Sequence, residues 1–461
     1  MFPFNYLTRQ SAETTIHSSP QTVSIQTKDG SLSILDFTKK YAPAVLSRFQ
    51  PAWWLPNGHA QTAYCATGNF ENIDRVQYQR KYLRLPDGGT IGIDFTPPLD
   101  APLPADTPII VVEHGLTGGS SIAVLSTCAH CPQVPMNRMS AIFSLQPVPP
   151  KDQNGLGYRA AVINFRGCAG VPITSPRFYS AACTEDLACG ALYISTLFPE
   201  AKLVGIGFSL GANVITRYLG EEGKQSRLNG GLALACPWNL VENSKHLEGN
   251  WFSRHVYSSA MGNNLLRLYK SHLHTLETFK DTHLLKVHPN VLKLKSPKLI
   301  DIDHVLVSQT GGAAPVWPFP SALEYYQYAS SDHALPGIAV PYLAISAQDD
   351  PIVRLIPRPD DPKTEASGWV AVAITERGGH LGWFEDGEQR GEVRRWISKP
   401  ALEWIRAVAE EFVREDGQGG RPIEVVDGFT REIGRPMIGF REIDEKDLPK
   451  GANAEGLTKG L

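Results

Sequence analysis

No apolar run in this chain approaches the roughly 18–20 residues that a membrane-spanning helix requires, so nothing in it reads as an integral membrane segment. The opening Met1-Phe2-Pro3-Phe4-Asn5-Tyr6-Leu7 lacks the apolar core of a secretory signal. Cysteine is sparse, odd in number (7) and scattered, which fits a reducing compartment better than a disulfide framework. Neither sign of charge dominates: 44 basic residues face 47 acidic ones, which argues against a nucleic-acid partner or an acidic tail. No internal repeat is visible, so a solenoid is not expected. The expectation is a cytoplasmic protein that meets membranes or lipid droplets at most peripherally.

What is present supports a large core. Hydrophobic residues make up 42% of 461 positions and charged ones 20%, well away from disorder. The length allows two or three ordinary domains or one α/β domain with insertions. The chain is organised around Leu203-Val204-Gly205-Ile206-Gly207-Phe208-Ser209-Leu210-Gly211-Ala212-Asn213. Leu203 to Ile206 reads as a buried strand, and Leu210 onward, through Val214, Ile215, Tyr218 and Leu219, as a helix. Gly207-Phe208-Ser209-Leu210-Gly211 is a G-x-S-x-G on the turn between them, a nucleophile elbow that lifts one hydroxyl above a parallel sheet. The bland alternative is a small-residue turn around a buried serine.

Upstream, Val76–Leu85 and Thr90–Phe95 flank Pro86-Asp87-Gly88-Gly89, a β-hairpin signal. Pro108–Glu113 is a nearly continuous apolar run, expected as a buried parallel strand. It ends in His114-Gly115-Leu116-Thr117-Gly118-Gly119. A loop there can supply an amide N–H to an oxyanion, with Leu116 as the candidate donor and Leu210, after the nucleophile, as the second. Further strands are expected at Arg159–Phe165, Gly230–Pro237, Val340–Ser346 and Trp369–Ile374, alternating with helices, which is the pattern of a mostly parallel sheet. Residues 239–335 break that alternation with helical spacing and occupy the place of a lid. Residues 1–44 read as a flexible lead-in, with one strand at Val23 to Gln26. A last helix starts near Pro400, and residues 416–461 read as a loosely ordered, charged, Gly-rich tail.

A serine nucleophile needs a base, and the base an orienting acid, in the chain order Ser, Asp or Glu, His. Ser209, Asp350 and His380 satisfy it, each just past a strand's C-terminal end. Ser209 would attack a carbonyl carbon, His380 would accept and return the proton, and Asp350 would hold the imidazole tautomer. Asp349 is the competing acid; Asp350 is preferred because such hydrolases place the acid three residues after a small one, here Ala347. Other candidates are weaker. Cys128 and Cys131, with His130 between them, lack a second pair at zinc-site spacing. His272, His274, His283 and His288 show no helical metal pairing and read as surface residues. Arg166 reads as a packing residue of a structural turn, with a cation near the site as the alternative. No metal or organic cofactor is expected.

Six stretches carry a family resemblance: residues 53–62 (Trp-Trp-Leu-Pro-Asn-Gly-His-Ala-Gln-Thr), 114–119, 164–170 (Asn-Phe-Arg-Gly-Cys-Ala-Gly), 207–213, 349–351 and 378–382. With these the chain resembles the YheT-like branch of α/β-hydrolases (AB hydrolase family 4), which includes fungal medium-chain fatty-acid ethyl ester synthase/esterases. The resemblance implies an α/β-hydrolase fold with a mostly parallel sheet, a helical lid and a Ser209–Asp350–His380 triad. It implies an ester hydrolase or acyltransferase acting on medium-chain acyl esters or acylglycerols. The implied partner is a small-molecule ester or lipid, with Trp53-Trp54 either packing on the domain or touching a lipid surface. Residues 120–154 depart from the family pattern and are expected to be an insertion beside the oxyanion loop. The reading of another class is a catalytically silent lipid-binding or scaffold protein on the same fold. Oligomeric state is left open.

Overall fold

The computed structural model describes residues 11–68, 78–119, 156–387, 392–415 and 417–449. The expected insertion at 120–154, with Cys128, His130 and Cys131, lies outside the described residues. In chain order the strands are β1 (Thr14–Ser18), β2 (Ile25–Thr27), β3 (Gly30–Leu32), β4 (Gln79–Arg84), β5 (Thr90–Thr96), β6 (Ile109–Glu113), β7 (Arg159–Asn164), β8 (Leu203–Phe208), β9 (Gly230–Leu234), β10 (Tyr342–Ala347), β11 (Val370–Thr375), β12 (Phe384–Asp386), β13 (Val393–Arg395), β14 (Ile423–Val426), β15 (Phe429–Glu432) and β16 (Arg435–Ile443). The helices used below are α1 (Ile34–Tyr41), α2 (Gly58–Thr67), α3 (Thr184–Leu197), α4 (Leu210–Glu222), α5 (Leu240–Gly249), α6 (Ser259–Ser271), α7 (His283–Lys293), α8 (Ala322–Ala329) and α9 (Ser398–Arg406).

One 12-stranded sheet runs in the order β1-β11-β10-β9-β8-β6-β7-β5-β4-β16-β15-β14. Its centre, from β11 through β7, is parallel. β6, β7, β8, β9 and β10 are buried at every position, as continuous apolar strands covered on both faces must be. On one face α3 and α4 pack Leu187, Leu192, Ile215 and Leu219 against Ile93, Val111 and Ile163. On the other, α1 and α9 pack Phe37, Trp404 and Ile405 against Val112, Ile206 and Ile345. Residues 240–329, between β9 and β10, hold α5 to α8 and join the first of these cores through Leu265, Tyr269 and Leu306.

Both termini depart from expectation. Within the lead-in, Thr14–Ser18 pairs antiparallel with β11 (Ile16 opposite Ala373) and α1 follows. The expected strand lies slightly later, at Ile25–Thr27. Within the expected loose tail, β16 pairs antiparallel with β4, Glu442 opposite Leu83. Phe440 packs edge-on against Tyr193 with ring centroids 5.0 Å apart, and Tyr193 donates to Glu442 at 2.9 Å. These segments are short and charged, so burial of a few residues and ladder hydrogen bonds, rather than an apolar run, hold them. No helix among the described residues is long and apolar enough to cross a membrane.

Candidate active site

The turn at Ser209 is built from close backbone packing. A side chain at Gly207 would collide with Gly211 and Ala212, and one at Gly211 with the backbone of Glu113 and His114. Ser209 itself has φ 51°, a strained conformation for a residue with a Cβ, of the kind found at functional turns. Its amide donates to the Leu234 carbonyl at 2.9 Å, and its carbonyl accepts from Asn213 at 3.2 Å. Ser209 thus stands where β8 gives way to α4.

His380 follows β11. Its Nε2 lies 2.8 Å from Ser209 Oγ and its Nδ1 2.7 Å from Asp350 Oδ2. A carboxylate only accepts, so Nδ1 carries the proton toward Asp350 and Nε2 is left to accept from the serine hydroxyl. Asp350 Oδ1 accepts from the amides of Ile352 (2.7 Å) and Val353 (2.9 Å). His380 is 4% exposed and Asp350 1%. Asp349 points elsewhere: it accepts from the Gly379 amide at 2.8 Å, and burial raises its pKa.

Residues not singled out from sequence hold the histidine loop. The Thr62 hydroxyl accepts from the His380 amide at 2.8 Å and donates to the Gly58 carbonyl at 2.7 Å. Gln61 donates to Leu55 and Phe384 carbonyls and accepts from the Phe384 amide at 2.7 Å. Gly379, with φ 60°, passes so close to Gly58 and Thr62 that any side chain would collide. Asn57 caps α2 by accepting from Ala60. Within the Asn57–Thr62 stretch, then, Gln61 and Thr62 clamp the loop. The signals available in sequence were the clustering of small and amide residues just after two adjacent tryptophans and the family resemblance of residues 53–62.

The loop after β6 stands over the serine: a side chain at Gly115 would come within 3.7 Å of Ser209 Cβ. Neither the Leu116 nor the Leu210 amide has an acceptor among the described residues, whereas the neighbouring Thr117 amide donates to Tyr179 at 3.0 Å. His114 braces this loop. Its Nδ1 donates to the Gly115 carbonyl at 2.8 Å and its Nε2 accepts from the Phe165 amide at 3.3 Å. Burial pushes its pKa down to about 4, so it is neutral. Both Glu113 carboxyl oxygens are buried without a partner among the described residues, and burial pushes the pKa well up.

Ser209, Leu116 and Leu210 line a cavity. Its far walls are aliphatic and aromatic, from Leu247 of α5, Met261 and Leu265 of α6, Leu299, and Tyr325 and Tyr326 of α8. Arg166 is not free to serve it. Its guanidinium is buried, paired with both oxygens of Asp186 at 2.8 and 2.7 Å and with Asp87. The histidines of residues 272–288 correct the surface expectation in two cases. His272 is fully buried and bonded to the Gly167 carbonyl at 2.8 Å, and His288 is buried against the Tyr269 hydroxyl at 2.8 Å. Helix packing in the insert, unreadable from local spacing, encloses them. No cluster of three metal-ligating side chains occurs among the described residues.

A strand–turn–helix serine under a parallel sheet's C-terminal edge, hydrogen-bonded to a histidine from the last parallel strand, defines a class. The chain belongs to the alpha/beta hydrolase family, whose profile matches residues 110–395. It is 30% identical over 399 residues to a monoacylglycerol lipase of Saccharomyces cerevisiae, covering 78% of this chain and 80% of that protein. It is 26% identical over 444 residues to medium-chain fatty acid ethyl ester synthase/esterase 2 of the same yeast, covering 83% and 89%. Human monoacylglycerol lipase ABHD2 is 26% identical over 387 residues, covering 81% of each chain.

Proposed function

We propose that this chain hydrolyses carboxylic esters through an acyl-enzyme on Ser209. Ser209 Oγ attacks the ester carbonyl carbon while His380 Nε2 takes its proton, and Asp350 holds the imidazolium that forms. The amides of Leu116 and Leu210 receive the oxyanion. Collapse of the tetrahedral intermediate breaks the ester C–O bond, and His380 returns its proton to the departing alkoxide. Water then repeats the sequence on the acyl-enzyme. An alcohol in place of water gives a new ester, and the two outcomes share every step up to the acyl-enzyme.

The observation that carries this reading is the continuous Ser209–His380–Asp350 hydrogen-bond chain, 2.8 and 2.7 Å, opening into an apolar cavity. Medium-chain acyl esters and acylglycerols are the substrates inferred from the cavity's apolar walls and from the names of the yeast relatives. Contact with a lipid surface is inferred from Trp53 (60% exposed) and Trp251 (73% exposed), while Trp54 packs edge-on against Tyr64 at 4.8 Å.

The test is hydrolysis of p-nitrophenyl esters across acyl lengths by wild type and Ser209→Ala, with a parallel set containing ethanol. Turnover should peak at medium chain length and fall by about 10⁴-fold or more in Ser209→Ala. Ethyl ester formed in the ethanol set marks acyl transfer. A wild type that neither turns over nor accepts a fluorophosphonate label overturns the proposal.

A further inference from the structure

The cavity that opens at Ser209 has polar features its apolar walls do not need, Asn243 Nδ2, buried without a partner among the described residues, and a carboxyl. Asp303 lines the cavity, 6% exposed, on the helical run 299–310. The Tyr326 hydroxyl, from α8, donates to Asp303 Oδ2 at 2.7 Å. Asp303 Oδ1 has no hydrogen bond, and the carboxyl no ion pair, among the described residues. The other cavity carboxylate is fully engaged: Glu248 accepts from Ser258 at 2.5 Å and pairs with Arg254 at 3.1 Å. The neighbouring phenols are engaged too. Tyr325 accepts from the Ala181 amide at 2.8 Å, and Tyr179 accepts from the Thr117 amide at 3.0 Å. Asp303 Oδ1 is not among the walled-off polar atoms and the residue lines the cavity, so a ligand there can reach this oxygen and bond to it.

We propose that Asp303, oriented by Tyr326, is a subsite for a hydroxyl group carried by the ester substrate. The proposal rests on the reading of Ser209 as the nucleophile, since it makes the two ends of one cavity act on one molecule. Tyr179 ties the wall beside this subsite to the residue after Leu116, so the subsite and the oxyanion loop share one frame. Burial raises the Asp303 pKa to about 7. Near neutral pH the carboxyl therefore exists both as acid and as anion, and a hydroxyl complements either, donating to one and accepting from the other. A cationic head group would instead require the anion throughout. A hydroxyl on the alcohol side describes a monoester of a polyol; one on the acyl side describes a hydroxy-acid ester.

The test compares wild type, Asp303→Leu and Tyr326→Phe on glyceryl monodecanoate, ethyl decanoate, ethyl hydroxydecanoate and choline decanoate. Fluorophosphonate labelling of Ser209 is read in every protein. Asp303→Leu should label normally and lose roughly 10- to 100-fold more kcat/KM on one hydroxyl-bearing ester than on ethyl decanoate. Tyr326→Phe should shift the same ratio in the same direction. The ester that loses identifies the side that carries the hydroxyl. Equal losses on all esters, no loss on any, or a loss confined to the choline ester would overturn the subsite. An unlabelled, inactive wild type would instead sink the Ser209 reading. In that event calorimetry with decyl glyceryl ether and hydroxydecyl ethyl ether, each against decyl ethyl ether, still decides the subsite: wild type must favour one hydroxyl-bearing ether and Asp303→Leu must not.

Discussion

Thr62 illustrates how a residue outside the proposed chemistry positions a group within it. Its hydroxyl accepts the buried His380 amide and donates to Gly58, so it sets the height of the histidine above Ser209. Thr62→Val keeps the shape and removes the acceptor, leaving a buried N–H unpaired. The expected cost is about 1–3 kcal/mol of stability, with kcat falling roughly 10- to 100-fold while KM changes little, because a small misplacement of the base costs rate rather than binding. Thermal unfolding and steady-state kinetics check both halves. An unchanged kcat would show that the glycine packing at residues 58 and 379 is enough to hold the loop. At this scale the sequence was readable where geometry is local, in the turn at Ser209 and the loop at His380 with their glycines. It was not readable at Thr62 and Gln61, whose partners lie more than three hundred residues away.

At the scale of elements, the central strands were legible and the edges were not. β6, β8, β9 and β10 are buried throughout and mostly apolar because helices cover both faces. β16 carries Arg435, Arg441 and Glu442 and reads as tail, yet it completes the ladder of β4 and ties back to α4. Arg435 pairs with Glu222 at 2.6 Å and with Glu432 at 2.9 Å, and Arg227 pairs with Glu432 at 3.0 Å. Removing residues 422–461 would expose the edge of β4 and strip partners from Glu222 and Arg227. The truncated chain should unfold several degrees lower, since a loss of 1 kcal/mol moves Tm by about 2–4 °C in large domains. It should also aggregate through the bare edge. Calorimetry and light scattering test this, and an unchanged Tm would reduce the segment to an ornament on the sheet.

For the molecule as a whole, two buried groups shape the dependence of stability on pH from opposite sides. Burial lowers His114 from its ordinary 6.5 to about 4. Its contribution, about 3 kcal/mol, is complete above pH 6.5 and lost as pH falls through 4. Burial raises Asp303 from 3.8 to about 7. Its contribution, about 4 kcal/mol, is complete below pH 3.8 and lost as pH rises through 7. Between pH 4 and 6.5 the two slopes oppose each other and nearly cancel, so these groups leave Tm almost flat there. Asp303→Asn should remove the falling component and make Tm rise with pH between 4 and 6.5. A Tm profile in that range that the substitution leaves unchanged would contradict the assignment.

The sequence by itself determined the strand–turn–helix at Ser209, the alternation that makes a parallel sheet, and the chain order of serine, acid and histidine. Each is a local pattern, set by periodicity and by glycines within a few residues. Only the tertiary structure decided that Asp350 and not Asp349 faces His380. It also decided that the first and last segments close the sheet's edges, that Arg166 is consumed by Asp186 and Asp87, and that Asp303 is turned into the cavity beside Tyr326. Adjacent residues of one type differ only in direction, and direction is imposed by partners far away in the chain, which no local pattern encodes.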